Sequence, residues 1–164
     1  NKTSPGVVTG IASAVSVKAG KAFALVLKTD GNVLGWGNNS KGQLGENAVG
    51  STVTAPVTIQ GLSNITSVSA CYEHGIAFKG DEKPFLWGNN AYGQLGDGST
   101  NRKLVPTEVV GLSEVNFVAA GETHNLALKD DGSVWCWGND SFGQPDAGNC
   151  QHHHVGKAVA HHKI

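Results

Sequence analysis

Short runs of alternating apolar and polar residues, separated by glycine-containing turns, cover most of this chain. In Val15–Lys18 the two valines alternate with Ser16 and Lys18, a pattern typical of a half-buried strand. The apolar run Ala22–Leu27 follows, and the turn Thr29–Asn32 then leads into a second apolar run. That turn contains Asp-Gly, which favours a tight hairpin because glycine accepts a positive φ. The pattern therefore predicts short antiparallel strands joined by tight turns.

This pattern occurs three times along the chain. The third strand and the loop after it read LGWGNNSKGQLG from Leu34, LWGNNAYGQLG from Leu86 and WCWGNDSFGQP from Trp135. A fixed period of about 50 residues is typical of repeat architectures. Four short strands per repeat predict one blade of a β-propeller, so we expect an all-β fold built of three blades. The aligned positions are Trp36, Trp87 and Trp137, and Gln43, Gln94 and Gln144.

The repeats divide the chain into five parts. The second repeat has Cys71 at the position of Gly20 and Gly121, and the third loses the repeat pattern at Pro145-Asp146. We expect a closing strand of a preceding or neighbouring blade in residues 1–11, blades in 12–65, 66–115 and 116–148, the last one incomplete, and a His-rich tail in 149–164.

The two ends of the repeat region are complementary. Residues 5–11 (PGVVTGI) match 56–62 (PVTIQGL) and 106–112 (PTEVVGL), and each segment reads as a short strand opened by proline. Three blades do not close a ring, since propellers typically have 4–8. One hypothesis is that Pro5, Val7, Val8 and Ile11 of one copy complete the third blade of the next copy by strand addition. The alternative is that the three blades belong to a longer propeller.

The most regular repeat carries a family resemblance. It reads FVAAGETHNLALKDDGSVWCWGND from Phe117, and the other repeats add GQLG and P-x-x-V-x-GL. This pattern closely resembles the regulator of chromosome condensation repeat family over roughly residues 12–145, with the end of another repeat at 5–11. The resemblance implies a propeller, commonly seven-bladed, that serves as an interaction platform.

The same resemblance implies two classes of function. One founding activity of that family is guanine-nucleotide exchange on a small nuclear GTPase, which relies on an insertion that nothing here obviously matches. Because a shared fold does not establish a shared function, we expect a non-enzymatic module for protein interaction or self-assembly, forming rings or filaments head to tail. The alternative is a regulator of a small GTPase, or of another enzyme, through one propeller face.

Charge and hydropathy narrow the expected partners. Twelve Lys+Arg and thirteen Asp+Glu give a formal charge of -1, so the chain lacks the basic field that non-specific nucleic-acid binding needs. The longest uninterrupted apolar run, Ala22–Leu27, is far shorter than a membrane span. We therefore expect protein partners or other copies of the chain, and no nucleic acid. The three cysteines form no ligand pattern, and the compartment stays open.

No motif for catalysis or for a cofactor is found. GxSxG, HExxH and GxxxxGK[ST] are all missing, so we expect neither an enzyme nor a bound cofactor. His74 and His124 share a position that Phe23 fills in the first repeat. We therefore expect these histidines to pack, with one imidazole hydrogen bond, rather than to catalyse. The repeated tryptophans are expected to pack blade on blade, and the glutamines to bind their own turns.

The C-terminal tail is rich in imidazole, which is a good ligand for zinc or copper. A His-rich surface tail also binds metal weakly without being a dedicated site, and we favour the interpretation that this is a flexible or purification-like segment. The candidate ligands are His152, His153, His154, His161 and His162.

Overall fold

The computed structural model describes residues 3–47, 49–80 and 83–141, and its regular elements in those ranges are all β-strands. No helix in the described part of the chain has the length and apolar character needed to cross a membrane. The strands are β1 Ala14–Ala19, β2 Phe23–Lys28, β3 Val33–Asn38, β4 Thr52–Thr58, β5 Ile65–Ala70, β6 His74–Lys79, β7 Pro84–Gly88, β8 Lys103–Glu108, β9 Val115–Ala120, β10 His124–Lys129 and β11 Val134–Gly138.

The strands form three separate antiparallel sheets in chain order. Blade 1 has the order β1-β2-β3-β4 and blade 2 the order β5-β6-β7-β8, while blade 3 comprises β9-β10-β11 among the described residues. Within each blade every strand pairs with the next one along the chain, so every blade is a meander of hairpins. This is the blade architecture that the sequence predicts, and the described blades do not close a ring.

The predicted Asp-Gly hairpin forms between β2 and β3. Gly31 has a φ of 76°, a region that disfavours other residues, and its N–H donates to the Lys28 carbonyl at 3.0 Å. The Asp30 carboxylate accepts from the Asn32 N–H at 3.0 Å and from the Lys28 amine at 2.8 Å. These bonds lower the pKa of Asp30 to about 2, with the Lys28 bond as the largest cause.

The expectation that proline opens the fourth strand is wrong. Pro56 is the fifth residue of β4, and Pro106 is the fourth residue of β8. Both lie where the ladder register shifts, between the Gly35 and Gly37 pairings in blade 1 and between Leu86 and Gly88 in blade 2. Proline has no backbone N–H to donate to a sheet. A bulge on an outer strand tolerates proline, because the residue there does not need to donate a hydrogen bond to the neighbouring strand.

Residues 5–11 are predicted to be the closing strand of a preceding or neighbouring blade. Within this chain the segment pairs with no strand of the described residues and contains a turn at Thr9-Gly10. A β-strand forms only where its backbone is hydrogen-bonded to a neighbouring strand. The equivalent residues of blade 1 have such a neighbour, because Thr58 pairs with Leu34 of β3. Residues 5–11 therefore share the sequence pattern of the other two segments without a sheet beside them among the described residues.

The hydrophobic core lies between blades rather than within them. One cluster joins blades 1 and 2, with Leu25, Leu44 and Ile59 packed against Val68 and Trp87. A second cluster joins blades 2 and 3 by the equivalent residues Ile76, Leu95, Val109, Val118 and Trp137. The middle blade is therefore covered on both faces. Blades 1 and 3 are each covered by a described blade on one face only.

Candidate interaction surface

The repeated tryptophans connect neighbouring blades by hydrogen bonds as well as by packing. The Trp87 indole N–H donates to the Gln43 carbonyl of blade 1 at 2.8 Å. The Trp137 indole donates to the Gln94 carbonyl of blade 2 at the same 2.8 Å. Both rings are fully buried, whereas Trp36 of blade 1 is half-buried and has no such bond among the described residues. Trp36 thus presents the unmatched half of a blade-to-blade contact.

The repeated glutamines hold their own loops at the same time. The Gln43 side-chain oxygen accepts from the Lys41 N–H at 2.8 Å, and that of Gln94 accepts from the Tyr92 N–H at 2.9 Å. With its side chain fixed, each glutamine presents its backbone carbonyl to the next blade. Gln144 lies outside the described residues.

Two buried asparagines were missed by sequence reasoning. The Asn39 side-chain oxygen accepts from the Leu44 N–H at 2.8 Å, and that of Asn90 accepts from the Leu95 N–H at 2.9 Å. Their amide groups donate to carbonyls further along the same loops. The signal was available, because both residues are the second asparagine of the repeated WGNN. They shape the loop that carries the glutamine.

The histidine position holds a polar contact between blades 2 and 3. His74 Nε2 lies 3.2 Å from the Asn125 side-chain oxygen, and both residues are fully buried. The Asn125 amide donates to the Gln94 carbonyl at 2.6 Å. Burial lowers the pKa of His74 to about 4; the Asn125 bond opposes that shift and the His124 charge adds to it. The imidazole is therefore neutral and acts as a connector of blades.

The outer face of blade 1 is an interblade face with no neighbouring blade among the described residues. Val17 of β1 is 66% exposed, whereas its equivalents Val68 and Val118 are 2% and 5% exposed. The three residues occupy the same repeat position, so the difference comes from what packs on them. A preceding blade covers Val68 and Val118, and no blade in the part of the chain that the structure describes covers Val17.

The segment 7–9 lies against this same blade. Val7, Val8 and Thr9 share a surface cleft with Trp36 and with residues 54–56 of β4. Val8 is 46% exposed, whereas the equivalent Ile59 and Val109 are each 1% exposed. The segment thus occupies the position of a preceding blade's last strand, with no sheet behind it.

The far face of blade 3 is exposed in a complementary way. Leu128 is exposed and Leu126 is half-buried, whereas the residues equivalent to Leu126, Leu25 and Ile76, are buried. In the described residues β11 is the last strand of its sheet and has no fourth strand beside it. Among the described residues, blade 3 thus has both an exposed apolar face and an unpaired strand edge. Such an edge can form backbone hydrogen bonds with a strand of another chain.

Polar contacts at the surface connect blades 1 and 2 near the short turns. The Lys21 amine lies 4.2 Å from the centre of the Tyr72 ring and 3.8 Å from a Glu73 carboxylate oxygen. The Tyr72 contact raises the pKa of Lys21. On the long loops, the Arg102 guanidinium donates to the Ser40 carbonyl at 3.2 Å. Exposed pairs of this kind contribute little to stability, so we assign them to alignment of the blades.

The structure gathers no metal-ligand group in the part of the chain that it describes. There, no three side chains among His, Cys, Asp and Glu come together as a metal site would require. A cavity of about 420 Å³ lies among the inner strands, between Lys18, Lys79, Asn116 and Phe117, and among the described residues no carboxylate lines it. The five tail histidines 152, 153, 154, 161 and 162 lie outside the described residues.

Comparison with known proteins identifies the repeat. A profile of the regulator of chromosome condensation (RCC1) repeat matches residues 30–78 and 83–128, and a second profile of that repeat matches 14–43 and 115–144. The chain belongs to the RCC1 repeat family. Propellers of this family are generally regulators without enzymatic activity of their own.

Among curated relatives, protein pim1 of Schizosaccharomyces pombe is 32% identical over 106 residues, which is 56% of this chain and 20% of pim1. Human RCC2 is 40% identical over 80 residues, which is 48% of this chain and 15% of RCC2. The chain thus spans about a fifth of pim1 and less of RCC2.

Solved structures agree with the fold. Human WBSCR16 superimposes with a TM-score of 0.76 at 27% identity, over 90% of this chain and 39% of WBSCR16. Prp20p of Saccharomyces cerevisiae gives a TM-score of 0.81 at 21% identity, over 93% of this chain and 40% of Prp20p. The three sheets are therefore consecutive blades of an RCC1-type β-propeller.

Proposed function

We propose that the chain is a protein-interaction module whose two open blade faces each receive a further propeller blade. The observation that carries this proposal is the contrast at one repeat position, where Val17 is exposed and Val68 and Val118 are buried. The buried copies support a propeller blade as the occupant of such a face, because each is covered by a neighbouring blade of the same repeat type. Burial of apolar surface supplies the driving force for docking.

In the finer form of the proposal, other copies of this chain supply the docked blade. Residues 5–11 of one copy would pair with the open edge of β11 in the next copy and complete blade 3. Support comes from the segment 7–9, which already lies beside Trp36 and β4, and from the edge of β11. Repetition of this contact gives a ring if the rotation closes and a filament if it does not.

The solution mass of the chain tests the finer form, in which copies dock on one another. We expect species larger than the 17.0 kDa chain in light scattering, and we expect Val17→Asp or deletion of residues 5–11 to return them to monomers. Val110→Asp is the matched control, because Val110 is an exposed valine whose repeat equivalents are Thr9 and Gln60. A stable monomer at high concentration would rule out docking between copies. Loss of assembly in the control as well would rule out the blade face as its cause.

A second candidate function is regulation of a small GTPase through one propeller face. It is favoured by the fold of Prp20p, a protein whose structure was studied together with its binding to Gsp1p and histones. The expected result is faster release of a labelled guanine nucleotide from one member of a panel of small GTPases. Unchanged nucleotide release from every GTPase of the panel would contradict this second candidate function and would not affect the first.

A further inference from the structure

The short turn between the first and second strands has the same backbone hydrogen bond in all three blades. Its first residue is Gly20 in blade 1, Cys71 in blade 2 and Gly121 in blade 3. In each blade the N–H of that residue donates at 2.9 Å to the carbonyl of the residue three positions later. None of these first residues has a positive φ, so the backbone does not require glycine at this position. The space beside the turn is what distinguishes the three blades.

In blades 1 and 3 an aromatic ring from the end of the turn lies over this glycine. A Cβ added at Gly20 would lie 2.2 Å from the Phe23 ring. A Cβ added at Gly121 would lie 2.4 Å from the His124 ring. Close-packed side chains do not approach to such distances, so each ring occupies the space that a Cβ would need. Glycine therefore allows the ring to lie over its own turn.

Cys71 carries the Cβ that the equivalent residues of the other blades lack. The His74 ring points across the blade interface instead, where its Nε2 lies 3.2 Å from the Asn125 side-chain oxygen. The thiol does not hold His74 by a bond, because His74 Nδ1 is buried and has no hydrogen-bond partner among the described residues. Burial raises the pKa of Cys71 to about 12, so the thiol is also uncharged. Its effect on His74 is therefore steric.

Blade 3 supplies an acceptor where the imidazole arrives. The Asn125 amide donates to the Gln94 carbonyl at 2.6 Å, so the Asn125 oxygen is the atom that faces His74. His74 Nε2 must then carry the proton and donate, because the asparagine oxygen only accepts. The residues equivalent to Asn125 are Ala24 and Gly75, and neither side chain can accept a hydrogen bond. The acceptor is thus present only in the blade towards which the histidine turns.

We infer that Cys71 is a positioning residue, whose Cβ turns His74 out of its own turn so that blade 2 recognises the asparagine of blade 3. Cys71, His74 and Asn125 act as one unit, and they make the blades of this chain non-interchangeable. A following blade with the residue of blade 1 or blade 2 at this position, Ala24 or Gly75, would leave a buried imidazole N–H without an acceptor. The inference concerns an internal interface and does not depend on docking between copies.

The test removes the Cβ from the turn of blade 2. Cys71→Gly should let the His74 ring lie over its turn as the His124 ring does, while Cys71→Ala is the matched control that keeps the Cβ and removes the sulfur. Long-range proton–nitrogen NMR spectra report the tautomer and the hydrogen bond of His74. We expect the native spectrum in Cys71→Ala and loss of the Nε2 hydrogen bond in Cys71→Gly. A native spectrum in Cys71→Gly would overturn the inference, and so would loss of the bond in Cys71→Ala.

Unfolding constants measured in urea test whether positions 71 and 125 act together. Asn125→Ala should weaken the native chain and Cys71→Ala equally, because both have the His74 hydrogen bond to lose. In Cys71→Gly the same substitution should cost about tenfold less in the unfolding constant. An equal cost in all three backgrounds would mean that Cys71 does not act through His74, and the inference would fail.

Blade 3 provides the reverse test, which also applies if Cys71→Gly does not fold. Gly121→Ala adds a Cβ beneath the His124 ring. In the native chain a nuclear Overhauser effect should connect the proton on His124 Cε1 with the α-protons of Gly121, because this carbon is the ring atom nearest to the position of the missing Cβ. The contact to the remaining α-proton should disappear in Gly121→Ala as the ring leaves the turn. Its persistence would contradict the steric role of the Cβ.

Discussion

The two internal blade interfaces have the same architecture and differ in chemistry. Between blades 1 and 2 the position after the short turn is filled by Phe23, and the cluster around it is apolar. Between blades 2 and 3 it is filled by His74, which is hydrogen-bonded to Asn125. The tryptophan–glutamine bond is 2.8 Å in both. The features shared by all repeats therefore determine how the blades stack. The residue at this one position determines whether the contact is apolar or contains a titratable, hydrogen-bonded group.

The largest expected effect comes from the contact that both interfaces share. Trp87→Ala or Trp137→Ala should each cost about 3–5 kcal/mol of unfolding free energy, because a buried ring and its hydrogen bond are lost. Trp36→Ala should cost only about 1 kcal/mol, since that ring is half-buried and unbonded among the described residues. Urea unfolding followed by circular dichroism measures all three. Equal losses would mean that Trp36 is covered in solution.

An intermediate effect distinguishes the two interfaces by pH. The pKa of His74 is lowered to about 4 in the folded chain by its burial, from an ordinary value of 6.5. As the pH falls through 6.5, the unfolded chain takes up this proton first, so stability is lost down to about pH 4. The loss is up to about 3 kcal/mol.

Urea unfolding at pH 7.5 and 4.5 measures this loss, and His74→Phe serves as its control. The variant should keep the acid sensitivity of the carboxylates and lose the part due to the imidazole. If the variant and the native chain have identical pH profiles, His74 does not distinguish the interfaces.

The smallest effect compares an open face with a covered one. Val17→Ala should change the unfolding free energy by no more than about 0.5 kcal/mol at low protein concentration. Val68→Ala removes methyl groups from a buried position and should cost clearly more. A thermal melt of each variant is sufficient. A large cost for Val17→Ala would indicate that this face is occupied in the sample.

Much of the fold could be predicted from local sequence signals. The Asp30-Gly31 turn identifies a hairpin, because a positive φ favours glycine. The regular spacing of the tryptophans identifies the blades. The fourth strand was harder to predict. Pro56 looks like the start of a strand, but a register shift in the ladder accommodates it inside β4, and that shift depends on the partner strand.

The contacts between blades were only partly predictable. The packing of the tryptophans and one hydrogen bond at the histidine position were expected from the repeat pattern. Their partners were not, because the acceptors of the indoles are backbone carbonyls, which no residue type identifies. Asn125 left a faint signal, as the polar residue where the other repeats have Ala24 and Gly75. Recognising it required knowing which residue lies across the interface.

The bond from indole to loop carbonyl has a consequence for how such a protein grows by gene duplication. Blade 2, which lies in the middle of the row, contributes one indole donor and one carbonyl acceptor that face opposite neighbours, Trp87 towards blade 1 and Gln94 towards blade 3. An extra repeat copied into the middle of the row therefore finds a partner for both groups at once. Lengthening the row in this way leaves no indole N–H and no loop carbonyl of this bond unmatched, so this part of the contact does not limit a change in blade number.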